Sequence, residues 1–364
     1  MKIALIGTRG VPAQYGGFET AAEEIGARLV DRGHSVVVYC RNKGQKLRAY
    51  RGMELINLPA IRHPALETLS HTAIAAVHAS THGFDCAILF NAANSPVLPL
   101  LRMPTAVHLD GLEWKRAKWQ GAGRRYLKWS ERRAVNNADA VIADARAIQT
   151  YVRQTYRSEA RFIPYGAPIV WNASSQHRLT SRVQPHRFHL VVARIEPENS
   201  VEMIVRGFLT SEASLPLVVV GDNPYDSAYL ARCATLLESS SRIEWLGSVW
   251  DQAELDWYYA NCLTYLHGHT VGGTNPSLLR AMGAGAMVIA RDVSFNREVC
   301  GDEGSFFSTE VELAETVDRL EGQPDEALEI GARLRSRAAR LYRWDDVATS
   351  YENLCQDLVG RGRP

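Results

Sequence analysis

The sequence lacks the features that mark a membrane-spanning or disulfide-bonded protein. No apolar run approaches the ~20 residues of a transmembrane helix, and the first apolar run, Ile3 to Ile6, is too short for a signal-peptide core. Six cysteines are scattered along the chain without a C-x-x-C pair, which indicates reduced thiols rather than disulfides or a zinc site. We therefore expect a soluble protein of the cytoplasm.

Charge and length are equally informative through what they exclude. The formal net charge is +1, so overall charge favours neither nucleic acid nor a membrane as a partner, and such a signal has to be local. The chain has 364 residues, 46% of them hydrophobic, which exceeds what one core usually holds. Two domains are therefore expected.

Both halves of the chain alternate short apolar runs with helix-period segments, a pattern typical of parallel sheets with crossover helices. A polar, proline-broken stretch at 165–187 predicts the linker, and 344–359 predicts a last amphipathic helix. The predicted fold class is α/β, with two doubly wound domains facing across a cleft and ligands at the carboxyl ends of the strands. The strands are expected in KIALIG, SVVVYC, ELINLP, CAILFN, TAVHLD and AVIADA, then in FHLVVARIEPEN, PLVVVGDN, RIEWLGSVW, LTYLHGH and AMVIARD.

The first loop, GTRGVPAQYGGFET at 7–20, joins a strand to a helix that starts after Gly16 and Gly17. Glycines there let a ligand reach bare N–H groups at a helix N-terminus, although any tight turn can require them. A dinucleotide site is disfavoured because G-x-G-x-x-G is absent and Cys40-Arg41 stands where a ribose-binding acid is expected. A P-loop motif is absent as well.

The segment LTYLHGHTVGGTNPSLL in the second half again joins a strand to a helix through a loop that contains glycine. The helix is expected to be capped by Thr274 or Asn275 and to begin at Pro276, and its N-terminus is a second predicted phosphate site. His267 and His269 alternate and should point the same way. No Cys, His or Asp nearby completes a metal site with them, so we predict no metal and expect packing or hydrogen-bonding roles.

Five blocks of sequence together carry a family resemblance: IGTRGVPAQYGGFET, HLDGLEWKRAKW, ARIEPENSVEMIV, GHTVGGTNPSLLRAMG and FNREVCGDEGSFF. In these blocks the chain resembles the bacterial rhamnosyltransferase-type branch of the family 4 glycosyltransferases, from residue 1 to the C-terminal helix. The resemblance implies the GT-B fold of two Rossmann-like domains, a nucleoside-diphosphate-sugar donor, retention of anomeric configuration and no required metal or other cofactor. It assigns 1–168 to the acceptor-side domain, 169–342 to the nucleotide-sugar domain and 343–364 to a helix crossing back.

The resemblance also assigns site residues. It places the donor diphosphate against Gly16, Gly17, Gly272, Gly273, Thr274 and Asn275, and the donor nucleoside or sugar against Trp250, Asp251, His269 and Arg280. Arg194 matches the arginine that offsets leaving-group charge; the alternative is a surface ion pair with Glu196 or Glu198. Asp110 could accept from a sugar hydroxyl or the acceptor, or form an Asx turn before Gly111.

Arg280 departs from the family pattern, which normally reads NPSLLEAM with a glutamate that accepts from the donor ribose hydroxyls. Arginine offers only donors, so that contact cannot form as usual. Arg280 could turn outward, bind a phosphate oxygen, or leave donor binding impaired.

The segment 113–134 contains eight Lys or Arg residues with four aromatic residues interleaved. It could lie on an anionic bilayer, hold a lipid diphosphate, stack on sugar rings, or be a solvated helix whose tryptophans are core; nucleic-acid binding is the least favoured alternative. The acceptor or membrane face is predicted at Trp114, Lys115, Arg116, Lys118 and Trp119.

The expected activity is therefore transfer of a sugar, rhamnose being the family's suggestion, to a glycan or lipid-linked acceptor in cell-surface polysaccharide synthesis. This would place the protein in the cytoplasm, where it could act at the inner face of the membrane. Two alternatives stay open: a sugar-nucleotide epimerase on the same fold, and a catalytically impaired nucleotide-sugar-binding or partner protein.

Overall fold

The computed structural model describes residues 1–13, 16–41, 47–61, 66–109, 111–171, 179–223 and 228–361. The chain divides into two compact units. Unit 1 comprises Met1–Gly166 and Trp344–Pro364, and unit 2 comprises Ala167–Arg343.

The strands are short, and most are apolar throughout. They are β1 (Lys2–Ile6), β2 (Ser35–Arg41), β3 (Ala49–Tyr50), β4 (Met53–Leu58), β5 (Cys86–Phe90), β6 (Thr105–Leu109), β7 (Ala140–Ala143), β8 (Arg161–Phe162), β9 (His189–Val192), β10 (Leu217–Val220), β11 (Ile243–Gly247), β12 (Thr264–His267), β13 (Met287–Arg291) and β14 (Ser305–Phe307).

The helices alternate with these strands along the chain. They are α1 (Gly17–Asp31), α2 (Glu67–Ala79), α3 (Gly121–Asn137), α4 (Arg146–Tyr156), α5 (Val201–Thr210), α6 (Ala228–Leu237), α7 (Gln252–Asn261), α8 (Pro276–Ala284), α9 (Ser294–Cys300), α10 (Glu310–Gly322), α11 (Pro324–Leu341) and α12 (Trp344–Gly360). Short 3₁₀ turns occur as well, including Glu113–Lys115 and Pro197–Asn199.

Unit 1 has an eight-stranded sheet in the order β3-β4-β2-β1-β5-β6-β7-β8. Every pairing is parallel except β3 with β4. The central strands β1 and β5 are almost wholly buried because helices cover both faces of a parallel sheet, which explains their continuous apolar runs.

The last helix, α12, belongs to unit 1 although unit 2 precedes it in the chain. It buries Trp344, Tyr351 and Leu358, and the indole of Trp344 packs directly on the backbone of Gly166. Glu352 accepts hydrogen bonds at 2.8 Å from Arg32 Nη1 and His34 Nε2. The helix therefore completes the core of the N-terminal half.

Unit 2 has a six-stranded parallel sheet in the order β11-β10-β9-β12-β13-β14. From β9 the chain first builds outward through β10 to β11, and then returns to β12 on the other side of β9. The order of the strands therefore reverses between β9 and β12.

Candidate functional site

The loops that follow β9 and β12 emerge side by side at this reversal. In open α/β sheets, ligands bind outside the carboxyl ends of the strands at such a point. The loop at 193–200 carries Arg194, and the loop at 268–275 carries the glycine-rich turn. The topology therefore brings together two of the segments that the sequence predicted for the donor diphosphate.

The two loops are fixed to each other through backbone groups. The N–H and hydroxyl of Thr270 donate to the carbonyl of Glu198 at 2.8 and 3.0 Å. Gly268 lies so close to the 3₁₀ turn that a Cβ there would be 2.1 Å from the carbonyl oxygen of Asn199. The side-chain amide of Asn199 donates to the carbonyl of Arg194 at 2.7 Å. Only glycine fits at 268, and it sets the distance between the two loops.

Asn275 is the residue that caps α8. Its Oδ1 accepts from the Ser277 N–H at 2.9 Å and from the Ser277 hydroxyl at 2.8 Å, while Pro276 occupies the first helical position. Thr274 is buried, and the space around the Cα of Gly272 is open. A helix N-terminus with open space in front of it stabilises a bound anion through the helix dipole.

Arg194 forms an ion pair with Glu196, its Nη2 lying 3.3 Å from Oε2, so the surface ion pair foreseen as an alternative is present. About 38% of the Arg194 side chain is exposed. Ion pairs this exposed contribute only about 0–1 kcal/mol. The pair therefore holds Arg194 beside the site without preventing its guanidinium from binding a phosphate.

His267 and His269 share one side of the chain, as their alternation predicts. Their rings stack with centroids 4.4 Å apart. Burial lowers the pKa of His267 to about 3, so this imidazole is neutral. Asn296, for which the sequence predicts no role, is fully buried and donates to the carbonyls of His269 and Arg291. Its only sequence signal is its place in the block FNREVC.

Arg280 lies on α8 and pairs with Asp256 on α7. Its Nη1 is 2.7 Å from Asp256 Oδ1, and both side chains are mostly buried, with 22% and 28% exposed. A cation at this position therefore has a carboxylate partner within its own unit. Arg280 is neither turned into solvent nor left unpaired.

Arg280→Glu should lower the free energy of unfolding by about 1–2 kcal/mol, because it sets two carboxylates side by side in place of an ion pair. Denaturant unfolding measures the effect. The charge-swapped double variant Arg280→Glu/Asp256→Arg should recover most of the loss. A double variant no more stable than the single one would show that the two residues are not coupled.

The effect of a carboxylate at position 280 on nucleotide affinity is better measured in Arg280→Glu/Asp256→Asn, which adds the carboxylate without placing it beside a second one.

Trp250 and Asp251 follow β11 at the same edge of the sheet. Asp251 caps α7 by accepting from the N–H groups of Ala253 and Glu254 at 2.8 and 3.2 Å. Trp250 is 71% exposed. An exposed indole at a strand end offers an apolar face on which a base can stack, whereas the Asp251 carboxylate is occupied by the helix.

In unit 1, Gly16 and Gly17 begin α1 as predicted. Gly16 is the N-cap, with φ 99°, a conformation that favours glycine, and as a glycine it offers no capping side chain. Glu19 is buried in the first turn and accepts from the Arg9 N–H at 2.7 Å; burial raises its pKa. Asp110, predicted to accept from a sugar hydroxyl or the acceptor, lies outside the described residues.

The segment 113–134, called the basic segment below, contains the 3₁₀ turn Glu113–Lys115 and most of α3. A cavity of about 440 Å³ lies there, and its wall includes Trp114, Lys115, Arg116, Trp119, Gly121 and Arg124. Lys118 pairs instead with Glu113 at 3.5 Å. Trp129 is 48% exposed and neither Trp114 nor Trp119 is buried, so the core role considered for these tryptophans is wrong.

Within the described ranges, no group of three His, Cys, Asp or Glu side chains could hold a metal ion. No described helix is both long enough and apolar enough to cross a membrane. All six cysteines are buried and free, in agreement with reduced thiols.

Comparisons with known proteins agree with this arrangement. Residues 187–322 match the family model described as Glycosyl transferases group 1, and residues 102–168 match a domain of unknown function, DUF1972. No curated protein matches the chain in sequence.

Solved structures match over the whole chain. Sucrose-phosphate synthase from Thermosynechococcus elongatus has a TM-score of 0.84 at 21% identity, covering 99% of this chain and 100% of that one. HepE from Anabaena, solved with UDP and glucose, has a TM-score of 0.75 at 16% sequence identity, and the match covers 98% of this chain and 100% of that one. A glycosyltransferase from Rickettsia africae has a TM-score of 0.73 at 13% sequence identity, and the match covers 99% of each chain.

These matches confirm the GT-B fold predicted from the sequence. Residues 187–322 form a glycosyl transferases group 1 domain that includes the loops at β9 and β12, and the class of the protein is glycosyltransferase.

Proposed function

We propose that the protein is a retaining, metal-independent glycosyltransferase that moves a sugar from a nucleoside-diphosphate sugar to a glycan or lipid-linked acceptor in cell-surface polysaccharide synthesis. The family resemblance suggests rhamnose as the transferred sugar and the cytoplasm, at the inner face of the membrane, as its place of action. The observation that carries the proposal is the joining of two loops in unit 2: the loop of Arg194 is hydrogen-bonded to the loop that leads to the N-terminus of α8.

The donor diphosphate would bind at the N-terminus of α8, with the Arg194 guanidinium as a further hydrogen-bond donor from the loop that follows β9. When the glycosidic bond breaks, negative charge develops on the β-phosphate. Hydrogen-bond donors that are fixed in place stabilise the transition state, in which this charge has developed, more than they stabilise the bound substrate. The activation barrier is therefore lower. HepE has been solved with UDP-glucose as well as with UDP and glucose, which supports a donor of this class.

The sugar and base would lie along the same edge. The ring of His269, stacked on the neutral imidazole of His267, would hydrogen-bond or pack against the sugar, and the exposed indole of Trp250 would stack on the base. The acceptor hydroxyl would attack from the face that the leaving group vacates, since the resemblance implies retention. In unit 1, Gly16 and Gly17 remain a predicted phosphate site.

A second candidate is a nucleotide-sugar-binding protein that transfers nothing. The pair between Arg280 and Asp256 favours it, because position 280 lacks the carboxylate that normally accepts from the ribose. Losing a hydrogen bond to a charged group costs roughly 1.5–3 kcal/mol, which corresponds to about 10- to 150-fold in affinity. Such a loss weakens a donor site without abolishing it.

Calorimetric titration with UDP, dTDP and GDP in the presence of EDTA tests the proposal. We expect saturable binding of one of them with a Kd of about micromolar, because the diphosphate site is preformed and needs no metal. Binding of none by a folded sample would contradict a functional donor site. Once the base is known, release of nucleoside diphosphate only when an acceptor is present distinguishes transfer from epimerisation.

A further inference from the structure

The cavity in the basic segment is walled by cations and aromatic rings. Lys115, Arg116 and Arg124 line it, and none of the described residues in its wall is a carboxylate. Arg116 pairs with Glu113 at 2.5 Å. In the part of the chain that the structure describes, neither Lys115 nor Arg124 has a carboxylate within ion-pair distance, so both keep their charge available to a ligand.

Trp114 is held in place by a buried carboxylate. Its Nε1 donates to Glu131 at 3.1 Å, and Glu131, only 5% exposed, also accepts from the hydroxyls of Tyr151 and Tyr156 at 2.7 and 2.6 Å. Burial raises the pKa of Tyr151 to about 12, so this hydroxyl remains a donor. Three donors on one carboxylate fix the indole before any ligand arrives.

Trp119 is fixed in a similar way on the other side. Its Nε1 donates to Glu113 at 3.0 Å. Its ring packs so closely on α3 that a Cβ on Gly123 would lie 3.0 Å from it. Two anchored indoles therefore form apolar walls next to Lys115 and Arg124.

Several cations lie close to the face of Trp114: Lys128 Nζ at 4.2 Å, Arg124 Cζ at 5.4 Å and Lys115 Nζ at 5.6 Å from the ring centroid. Like charges concentrated around one ring repel each other, and a bound anion relieves that repulsion. The N-terminus of α3 also borders the cavity, since Gln120 and Gly121 line it and the Gln120 side chain does not cap that helix. Lys and Arg side chains bind phosphate through charge-assisted hydrogen bonds.

We propose that this cavity binds a phosphorylated sugar, with the phosphate on Lys115 and Arg124 and the sugar ring against Trp114 and Trp119. The inference rests on the proposed function, since such a ligand would be the acceptor of the transferred sugar. The volume of about 440 Å³ lies within the range of small-molecule sites. The phosphate could come from a lipid-linked sugar diphosphate or from a soluble sugar phosphate.

The test compares the wild type with Lys115→Ala/Arg124→Ala, both exposed positions at which alanine removes no described ion pair. The matched control is Arg125→Ala/Arg132→Ala, which removes the same charge from exposed positions outside the cavity wall. The probes are inorganic pyrophosphate and α-glucose 1-phosphate, titrated with an excess of the nucleoside diphosphate that the donor site prefers. Phosphatidylcholine vesicles with and without a polyprenyl diphosphate, and phosphatidylglycerol vesicles, are compared by co-sedimentation.

We expect the cavity variant to bind at least one phosphate probe at least tenfold more weakly, while the control binds like the wild type. Preference for the vesicles with polyprenyl diphosphate identifies a lipid-borne phosphate, and binding of the soluble probes alone identifies a soluble one. Equal losses in both double variants, or equal binding to phosphatidylglycerol, would overturn the proposal in favour of general charge attraction.

The two proposals fail separately. Nucleotide binding without binding of any phosphate probe overturns the cavity site and leaves the donor site standing. Phosphate binding that depends on Lys115 and Arg124, without binding of any nucleotide, supports the cavity site and contradicts the proposed function.

Discussion

Replacing Arg194 with alanine is expected to lower the turnover number about 100-fold, since removing one preorganised donor to a developing charge typically costs 10²–10³. The free energy of unfolding should hardly change, because the side chain is 38% exposed and an ion pair as exposed as that with Glu196 contributes little. Steady-state rates with the donor identified by titration, together with thermal unfolding, measure both quantities.

Two control variants sharpen this result. Arg194→Lys keeps the charge but loses the planar fork, so it should recover part of the rate. Glu196→Gln removes the ion-pair partner and should leave turnover within a few-fold of the wild type. An unchanged rate in Arg194→Ala would remove this residue from the leaving-group role.

Gly268→Ala should damage both the fold of unit 2 and its donor site. The new Cβ would lie 2.1 Å from the Asn199 carbonyl oxygen and 2.9 Å from Ile204 Cδ1, so the backbone itself has to move. Overpacking of this kind costs about 1–3 kcal/mol. The displacement separates the loop of Arg194 from the turn before α8, and nucleotide affinity should fall at least tenfold.

Gly322→Ala is the matched control in the same unit, because nothing lies within 4 Å of its added Cβ. We expect the unfolding temperature and the nucleotide affinity of that variant to equal those of the wild type. Thermal unfolding and calorimetric titration of the two variants side by side measure the difference. Wild-type affinity in Gly268→Ala would show that the spacing of the two loops does not govern donor binding.

Much of the fold follows from local sequence pattern. The apolar runs predict every strand that is buried on both faces, such as β1, β5 and β10, since a strand covered on both sides has to be apolar throughout. The two-residue strands β3 and β8 escape prediction because they lie at the sheet edges and carry too few residues for a pattern.

The site is less predictable, because its decisive contacts join residues far apart in sequence. Asn275, and not Thr274, caps α8, a choice between neighbours that only the backbone geometry settles. Arg280 depends on Asp256, 24 residues earlier on another helix, and no spacing rule links the two. No sequence motif marks Gly268. Glycine is required there because the carbonyl of Asn199, in the other loop, leaves no room for a side chain.

The cavity in the basic segment shows the same limit. The sequence predicts charge and aromaticity near Trp114, but it does not show that Glu131, Tyr151 and Tyr156 hold the indole. These residues come from α3 and α4, so their meeting is a product of tertiary packing.

The return of α12 to unit 1 sets an order of events during synthesis. The ribosome makes residues 1–166 first and then the whole of unit 2 before it reaches Trp344. At roughly 5–20 residues per second, that interval lasts about 10–35 s. Throughout it, the nascent N-terminal half exposes the apolar surface that Trp344, Tyr351 and Leu358 later cover. The N-terminal unit, although translated first, therefore cannot complete its core until unit 2 and α12 have been made.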